Sequence, residues 1–535
     1  MKKILLKLST TLARSIPVEK RVFLKRFLKR SDFPKYKKFK KGDSTYDLGK
    51  VLFFTSSGIH RTGNLTESLL AQTLKNSGSD VWVYRCSGEL VFCNAAEWGN
   101  TDYNTFKNQG SPACGLCSSC KYQGDLYWKD STVSRLELNL NIDVDIDSGL
   151  ALDEIVAYTY RGIGIGEHAK SSTLRYLCVG ELSEEHKPLL INYLKSNIAL
   201  VDSLLIQLSD FNYVFCFHGI YTPHGVLTDI CELLNIKLIA WNTSYRKSRF
   251  LFTWGQTYHK HFINLKESDW YKEIPEKEKD EIVKYIVGRS EGKNDWQQFN
   301  PNSSNNLDRF GNINWDKTFL LLPNVVWDAQ LYFPDNYYSS MVEWVLHTIE
   351  IFKSKPDLTL IIRIHPAEIK RFSPSRQPLF EEIKKVFSDL PENIHIVKND
   401  DKLDTHTMAK RARSILIYGS KAGIEFSALG KRVVVSGESW IKNKGFAIEP
   451  KSKKEYELLF DDLSLFKPMS EQELNRALVF ANFFFEKSAI YLPEITSDIN
   501  NIGLIPGKSF YNKELSEGMR LLLNKVKNNE LIAYD

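Results

Sequence analysis

The chain reads as an α/β protein built from two Rossmann-like, doubly wound domains, and three observations predict this. Short apolar runs rich in Val, Ile, Leu and Phe alternate with amphipathic helical stretches in two separate blocks. Many of these runs are apolar throughout, the pattern of strands buried on both faces of a parallel sheet. At 535 residues the chain exceeds what one core organises, so two or more domains are expected.

Residues 1–45 form a basic amphipathic arm. Within residues 1–41, fifteen Lys and Arg stand against Glu19 and Asp32, a net of +13, so the remainder carries −7 of an overall +6. Val22, Phe23, Phe27 and Leu28 interleave with Lys25, Arg26, Lys29 and Arg30 at near-helical spacing. Such a segment suits an anionic membrane surface; the plainer reading is a solvated tail. Nucleic acid is not expected as a partner, because no nucleic-acid motif accompanies the charge. The start, "MKKILLKLSTTLARS", imitates a signal peptide, but Lys7 interrupts its apolar part and no small-residue cleavage site follows. No apolar run approaches the roughly 18 to 20 residues a spanning helix needs. The expectation is a cytoplasmic, unprocessed protein, peripheral on the inner face of the cell membrane through residues 1–41.

Residues 46–264 form the first domain. "KVLFFTSSGIHRTGNLTESLLAQTLKNSGSDVWVYRC" reads strand, glycine-bearing loop, helix, strand, with Asn64 and Glu67 spaced as a capping box. "YVFCFHG" and "IKLIAWN" read as further strands around the helix "GVLTDICELLN". A cysteine-rich insertion occupies about 86–150. Residues 265–316 are a connector, first helical and charged, then rich in Asn and Ser. Residues 317–470 form the second domain, with strands in "TFLLLPN", "LTLIIRIHP", "NIHIVKN", "SILIYGS" and "KRVVVSG". A helical tail, 471–535, follows.

Two stretches of the second domain carry chemistry. In "LTLIIRIHPAE", Pro366 cannot donate to a ladder, so the strand stops and leaves His365 at its C-terminal end. Open α/β sheets bind ligands at that edge. A lone His-Pro is otherwise a strand cap. "SILIYGSKAGIEFSALGKRVVV" runs strand, turn, helix, strand. There Ser420 offers a hydroxyl and a helix N-terminus offers free N–H groups. Gly423 permits close backbone approach, and Glu425 stands where a carboxylate accepts from a ribose hydroxyl. Arg363 and Lys421 add positive charge. Together these groups suit a phosphate held without metal.

These motifs, with "LLPNVVWDAQLYF", "KGFAIEP", "FCFHGIYTPHGVLTDICELLNIKLIAWN" and "FTWGQTYHKH", resemble a GT-B glycosyltransferase of the bacterial capsule and surface-polysaccharide kind. The resemblance covers about 210–450 well. It implies two Rossmann-like domains, acceptor side first and nucleotide-sugar side second, with metal-independent transfer from a nucleotide-sugar, a CMP-sugar favoured, to a glycan or lipid-linked glycan. It gives His365 and Ser420 the donor phosphate and Glu425 the ribose. The acidic motif that supplies the base in some relatives has no copy here. A polyol-phosphate transferase of the teichoic-acid type, using a CDP-polyol, shares the same pattern.

Transfer needs the acceptor hydroxyl deprotonated as the sugar leaves. His218, at the end of "YVFCFHG", is the first candidate and Asp328, in "VVWDAQ", the second; His60, His224 and Asp229 are less well placed. Five of eight cysteines gather early, as Cys86, Cys93, Cys114, Cys117 and Cys120. "CGLCSSC" with one more thiolate has the ligand number of a structural zinc or an Fe–S cluster. Such a metal would brace the insertion and take no part in catalysis. If that site and the arm were the working parts, the chain would be a metal-cluster or nucleic-acid-binding protein. Asp143, Asp145 and Asp147 repeat the Asp-x-Asp pattern of metal-dependent transferases, but far from His365 in sequence.

Overall fold

A computed structural model describes residues 46–86, 88–90, 114–141, 143–290, 304–331, 333–370, 374–497, 504–506 and 514–535. The basic arm and Cys93 lie outside the described residues. The chain divides into two units. Unit 1 takes the chain up to Leu177, Leu182–Tyr258 and Ile490–Tyr534; unit 2 takes Cys178–Glu181, His259–Ala489 and Asp535.

Unit 1 is built on β1 (Lys50–Ser56), β2 (Asp80–Arg85), β3 (Ser134–Leu136), β4 (Tyr213–Phe217), β5 (Lys237–Thr243) and β6 (Arg249–Trp254). A C-terminal strand, Ala489–Tyr491, completes the sheet, and the order is C-terminal strand, β6, β5, β4, β1, β2, β3. β1 to β5 are mutually parallel, and β6 runs antiparallel to β5. The connecting helices are α1 (Arg61–Asn76), α2 (Cys114–Trp128), α3 (Ile165–Leu177), α4 (Lys187–Gln207) and α5 (His224–Leu233). β1 is apolar from Val51 to Phe54 and six of its seven residues are buried, as in a strand covered on both faces. The chain winds outward through β2 and β3 and then returns to the other side of β1. Its topological switch point therefore lies between β1 and β4.

Three sequence expectations are corrected in unit 1. The helix begins at Arg61, so Asn64 and Glu67 lie inside it, fully buried, and form no capping box. Asn64 Nδ2 instead donates to the carbonyls of Ser57 and His60 at 2.8 and 2.9 Å. Within the span read as an insertion, β3 pairs with β2. The tail is not helical throughout: past Ala489, Ile490, Leu492, Met519, Leu522 and Val526 join the core of unit 1. Finally, Glu184–Gln207 is long and apolar enough to cross a membrane; with two-thirds of its apolar window buried, it is a core helix.

Unit 2 is a five-stranded, all-parallel sheet in the order β11-β10-β7-β8-β9. Its strands are β7 (Thr318–Leu322), β8 (Thr359–Arg363), β9 (Ile394–Val397), β10 (Ser414–Ile417) and β11 (Arg432–Val435). Around it stand α6 (Glu276–Ser290), α7 (Met341–Lys353), α8 (Leu379–Val386), α9 (Thr405–Arg411), α10 (Ala422–Ala428) and α11 (Glu471–Asn482). Ser340 caps α7 through Glu343 N–H at 3.1 Å, and Asp404 caps α9 through Thr407 N–H at 2.7 Å. The switch point here lies between β7 and β10. Both units are thus doubly wound.

Candidate functional site

In unit 2 the C-terminal sheet edge collects Asn324 after β7, His365 after β8 and Ser420 after β10. β8 and β10 flank β7, so at about 4.8 Å per strand spacing their ends stand about 10 Å apart. Ala367 N–H donates to His365 Nδ1 at 3.1 Å, which assigns the ring proton of a neutral imidazole to Nε2. Ser420 Oγ accepts from Ala422 N–H at 3.3 Å and its carbonyl accepts from Gly423 N–H at 3.0 Å, closing the turn into α10. Gly419 has to be glycine, because a Cβ there would stand 2.4 Å from the carbonyl oxygen of Glu438. Asn324, which the sequence reading missed, is half-buried with an Oδ1 that has no hydrogen-bond partner.

The other expected donor residues are held differently. Arg363 is buried, and its guanidinium donates to the carbonyls of Lys398 and, at 2.9 Å, Asp401. It secures the turn after β9. Gly423 faces the interior, where a Cβ would meet Ile417 Cδ1 at 2.6 Å and Ile441 Cδ1 at 2.9 Å. Its small size serves packing rather than ligand approach. Lys421 bonds to Glu425 one turn along α10, and Arg289 Nε reaches the same Oε1 at 3.2 Å. Burial alone would raise the Glu425 pKa, but Arg289, Lys421 and His406 outweigh it and hold the group at about 2. Glu425 is therefore a fixed carboxylate pinned by two cations. Asp328 is half-buried past β7, near His259, whose imidazole burial pulls down to about 4 against the pull of Asp328. In "KGFAIEP", Lys444 is buried and donates to the carbonyls of Ile263 and Leu265 at 3.1 Å each.

In unit 1 the corresponding edge carries two non-glycine residues in the left-handed region, Ser56 (φ 49°) and His218 (φ 68°). They end the two strands that flank the switch point, and strain of this kind gathers at ligand sites. The His218 ring lies among Phe217, Tyr221 and Tyr258, with centroids 5.5, 5.4 and 6.2 Å away. His60 packs on Phe217 at 4.3 Å. His224 Nε2 stands 3.0 Å from Ser56 Oγ and 3.1 Å from the Phe54 carbonyl. A carbonyl only accepts, so this nitrogen carries the proton and His224 cannot take one from Ser56 there. Burial lowers His60 to about 3 and His224 to about 4, so both rings are neutral at pH 7. Asp229 pairs with His168 at 2.8 Å. The cavity of about 500 Å³ beside Gly49, Asn212 and Lys237 opens at the opposite end of this sheet.

The cysteine motif lies in a helix, α2, so its cysteines fall at i, i+3 and i+6 along it. Cys120 is buried and its Sγ accepts from Gly58 N–H at 3.0 Å. Cys86 accepts from Gly88 N–H at 3.3 Å, and burial pushes its thiol up to about 12. Among the described residues, no three His, Cys, Asp or Glu side chains are grouped to hold a metal. Cys93 and the Cys114 side chain fall outside them. Cys178, Cys216 and Cys231 are buried. Asp143, Asp145 and Asp147 are solvated loop residues.

No protein-family model matches the chain, and no curated protein matches it in sequence. Several solved structures are similar. Thermosulfurimonas dismutans KpsC, beta Kdo 2,4 transferase, is 12% identical over 51% of this chain and 88% of that one, with a TM-score of 0.30. A putative UDP-N-acetylglucosamine 2-epimerase from Listeria monocytogenes is 11% identical over 81% and 92%, with a TM-score of 0.27. The S. aureus MnaA–UDP co-structure is 12% identical over 90% and 96%, with a TM-score of 0.27. At these values the likeness assigns neither activity nor ligand to this chain.

Proposed function

We propose that the protein is a glycosyltransferase of GT-B type, moving a sugar from a nucleotide-sugar donor to a capsule or other surface-polysaccharide acceptor. The observation that carries this reading is the unit 2 sheet edge, where His365 and Ser420 close the strands on either side of β7 at a topological switch point. His365 presents Nε2–H, Ser420 a hydroxyl and Asn324 a side-chain amide, a neutral set of donors suited to a leaving phosphate. The sequence resemblance favours a CMP-sugar; a CDP-polyol is the second possibility. In this reading His218, with Asp328 as the second candidate, takes the acceptor proton, and catalysis proceeds without metal. Glu425 meets a ribose only by loosening its hold on Lys421 or Arg289. A structural metal on the cysteines remains part of the proposal, as does docking of residues 1–41 on the inner leaflet of the cell membrane.

The test is calorimetry of the full chain with CMP, CDP, UDP and GDP and their sugars, repeated in His365→Ala. One nucleotide should bind, and the variant should lose at least tenfold in affinity with an unchanged melting temperature. Equal affinity in the two proteins removes the donor site from this edge. Binding of CDP-glycerol or CDP-ribitol with indifference to nucleotide-sugars moves the reading to the polyol-phosphate reaction.

A further inference from the structure

Glu368 stands three residues past His365, at the end of "HPAE", and is buried. Its carboxylate has two partners, and both come from other elements. Oε1 accepts from the Leu379 N–H at 3.1 Å, and Oε2 accepts from Asn399 Nδ2 at 3.0 Å. Leu379 is the first residue of α8, and Pro378 before it gives that helix no side-chain cap. A helix start leaves its first N–H groups without intrahelical partners. Glu368 therefore supplies, from 11 positions upstream, the acceptor that the local sequence lacks. Asn399 lies just past β9, in the turn whose Lys398 and Asp401 carbonyls hold the Arg363 guanidinium. One carboxylate thus joins the exit of β8, the start of α8 and the exit of β9.

The turn that Glu368 closes is the one that orients His365. Glu368 N–H donates to the His365 carbonyl at 3.2 Å, and Ser375 N–H donates to the Glu368 carbonyl at 2.8 Å. Inside the turn, Ala367 N–H donates to His365 Nδ1 at 3.1 Å. A backbone N–H only donates, so that ring nitrogen accepts. The ring is fixed through the turn, and the turn is fixed through Glu368. Removing the carboxylate leaves Asn399 and the fully buried Leu379 N–H without this acceptor. A buried donor left unmatched costs more than the bond itself contributed, which drives the turn to rearrange.

We propose that Glu368 is a positioning residue of the unit 2 edge, holding the turn from His365 to Glu368 against α8 and the β9 exit so that the His365 ring keeps its orientation. This role rests on the reading that His365 takes the donor phosphate. A carboxylate that served α8 alone would lower stability on removal and leave His365 untouched. A positioning carboxylate moves the ring.

Amide hydrogen exchange and ¹⁵N-histidine spectra of the full chain separate the two. In Glu368→Ala the Ala367 amide should exchange about fivefold faster, the worth of one neutral hydrogen bond. The His365 Nδ1 resonance should move toward that of an unbonded nitrogen. The Ile364 amide, bonded to the Val397 carbonyl at 2.9 Å, should keep its protection. Affinity for CMP, the probe of the donor site, should fall by at least the same factor. Glu368→Gln should restore all three signals: its amide oxygen accepts from Leu379, and Asn399 can turn its own amide over to accept from the new NH2. If Glu368→Ala does not fold, Asn399→Ala removes only the β9 side and should move the same signals in the same direction. Ala367 exchange within twofold of wild type in whichever of these variants folds, with an unmoved His365 resonance, would overturn the proposal. So would a Glu368→Gln protein as disturbed as Glu368→Ala. Failure of the wild type to bind CMP speaks against the CMP-sugar reading alone, because exchange and ring spectra do not depend on it.

Discussion

Glu67 in unit 1 and Glu425 in unit 2 stand on matching helices, each entered from the exit of a central strand, and both are buried. Their fates are opposite. Glu67 accepts from the neutral Trp241 indole N–H at 2.8 Å, and burial pushes its pKa up to about 7. Glu425 undergoes the same burial, yet Arg289 and Lys421 pull it down to about 2. Burial favours the neutral acid; at Glu425 the cations within bonding distance reverse it. The two edges differ in the same sense. At the edge of unit 1 burial holds His60 and His224 neutral, whereas in unit 2 Arg289 and Lys421 stand charged against Glu425.

The largest effect should come from cutting the charged cluster. Glu425→Ala leaves Arg289 and Lys421 without their shared carboxylate, and removing one partner of a buried ion pair costs about 3 to 5 kcal/mol. Chemical unfolding at pH 7 measures it. A loss under about 1 kcal/mol would mean that the cations simply turn to solvent, and the contrast with Glu67 would lose its basis. The pH dependence has a definite sign: the Glu425 contribution is present above its ordinary 4.5 and is lost as pH falls toward 2.

Glu67→Gln should act in the opposite direction. The folded pKa of Glu67 is raised, so its contribution is complete below 4.5 and is lost as pH rises toward 7. The amide keeps an acceptor for Trp241 and cannot ionise. The variant should match wild type near pH 4.5 and exceed it by roughly 3 kcal/mol at pH 8. Histidines do not separate the units: His60, His224, His259 and His261 are all lowered, and all give stability that is lost as pH falls below 6.5. Only the difference between variant and wild type isolates the glutamate. A variant less stable than wild type at pH 8 would show that Glu67 is ionised and compensated.

The smallest effect concerns the turns that lead into these helices. A Cβ on Gly58 would stand 1.9 Å from the Cys120 carbonyl oxygen, as one on Gly419 would stand 2.4 Å from that of Glu438. Gly423 faces only the movable ends of Ile417 and Ile441. Overpacking costs about 1 to 3 kcal/mol, so Gly58→Ala and Gly419→Ala should sit at the upper end and Gly423→Ala at the lower. Melting temperatures rank them. A Gly423→Ala variant as damaged as Gly419→Ala would make the α10 contact as rigid as backbone.

The sequence by itself determined what local periodicity and proline chemistry encode. Continuous apolar runs mark β1, β7, β8 and β10 because a strand covered on both faces has no polar side to show. Pro366 stops β8 and leaves His365 at a sheet edge whatever surrounds it. Pattern also placed α11, at the start of the tail, although β6 and the helix pair α3 and α4 were not recognised. What a side chain meets was settled only in three dimensions. Trp241 reaches Glu67 across 174 positions, and Asp229 reaches His168 across 61. Arg363 is turned to the carbonyls after β9, and Gly423 is turned inward by the packing of α10 on β10. A charge, a small side chain or a thiol looks the same in sequence whether it faces a ligand or the core. Only the sheet order and the packing of each helix choose between them.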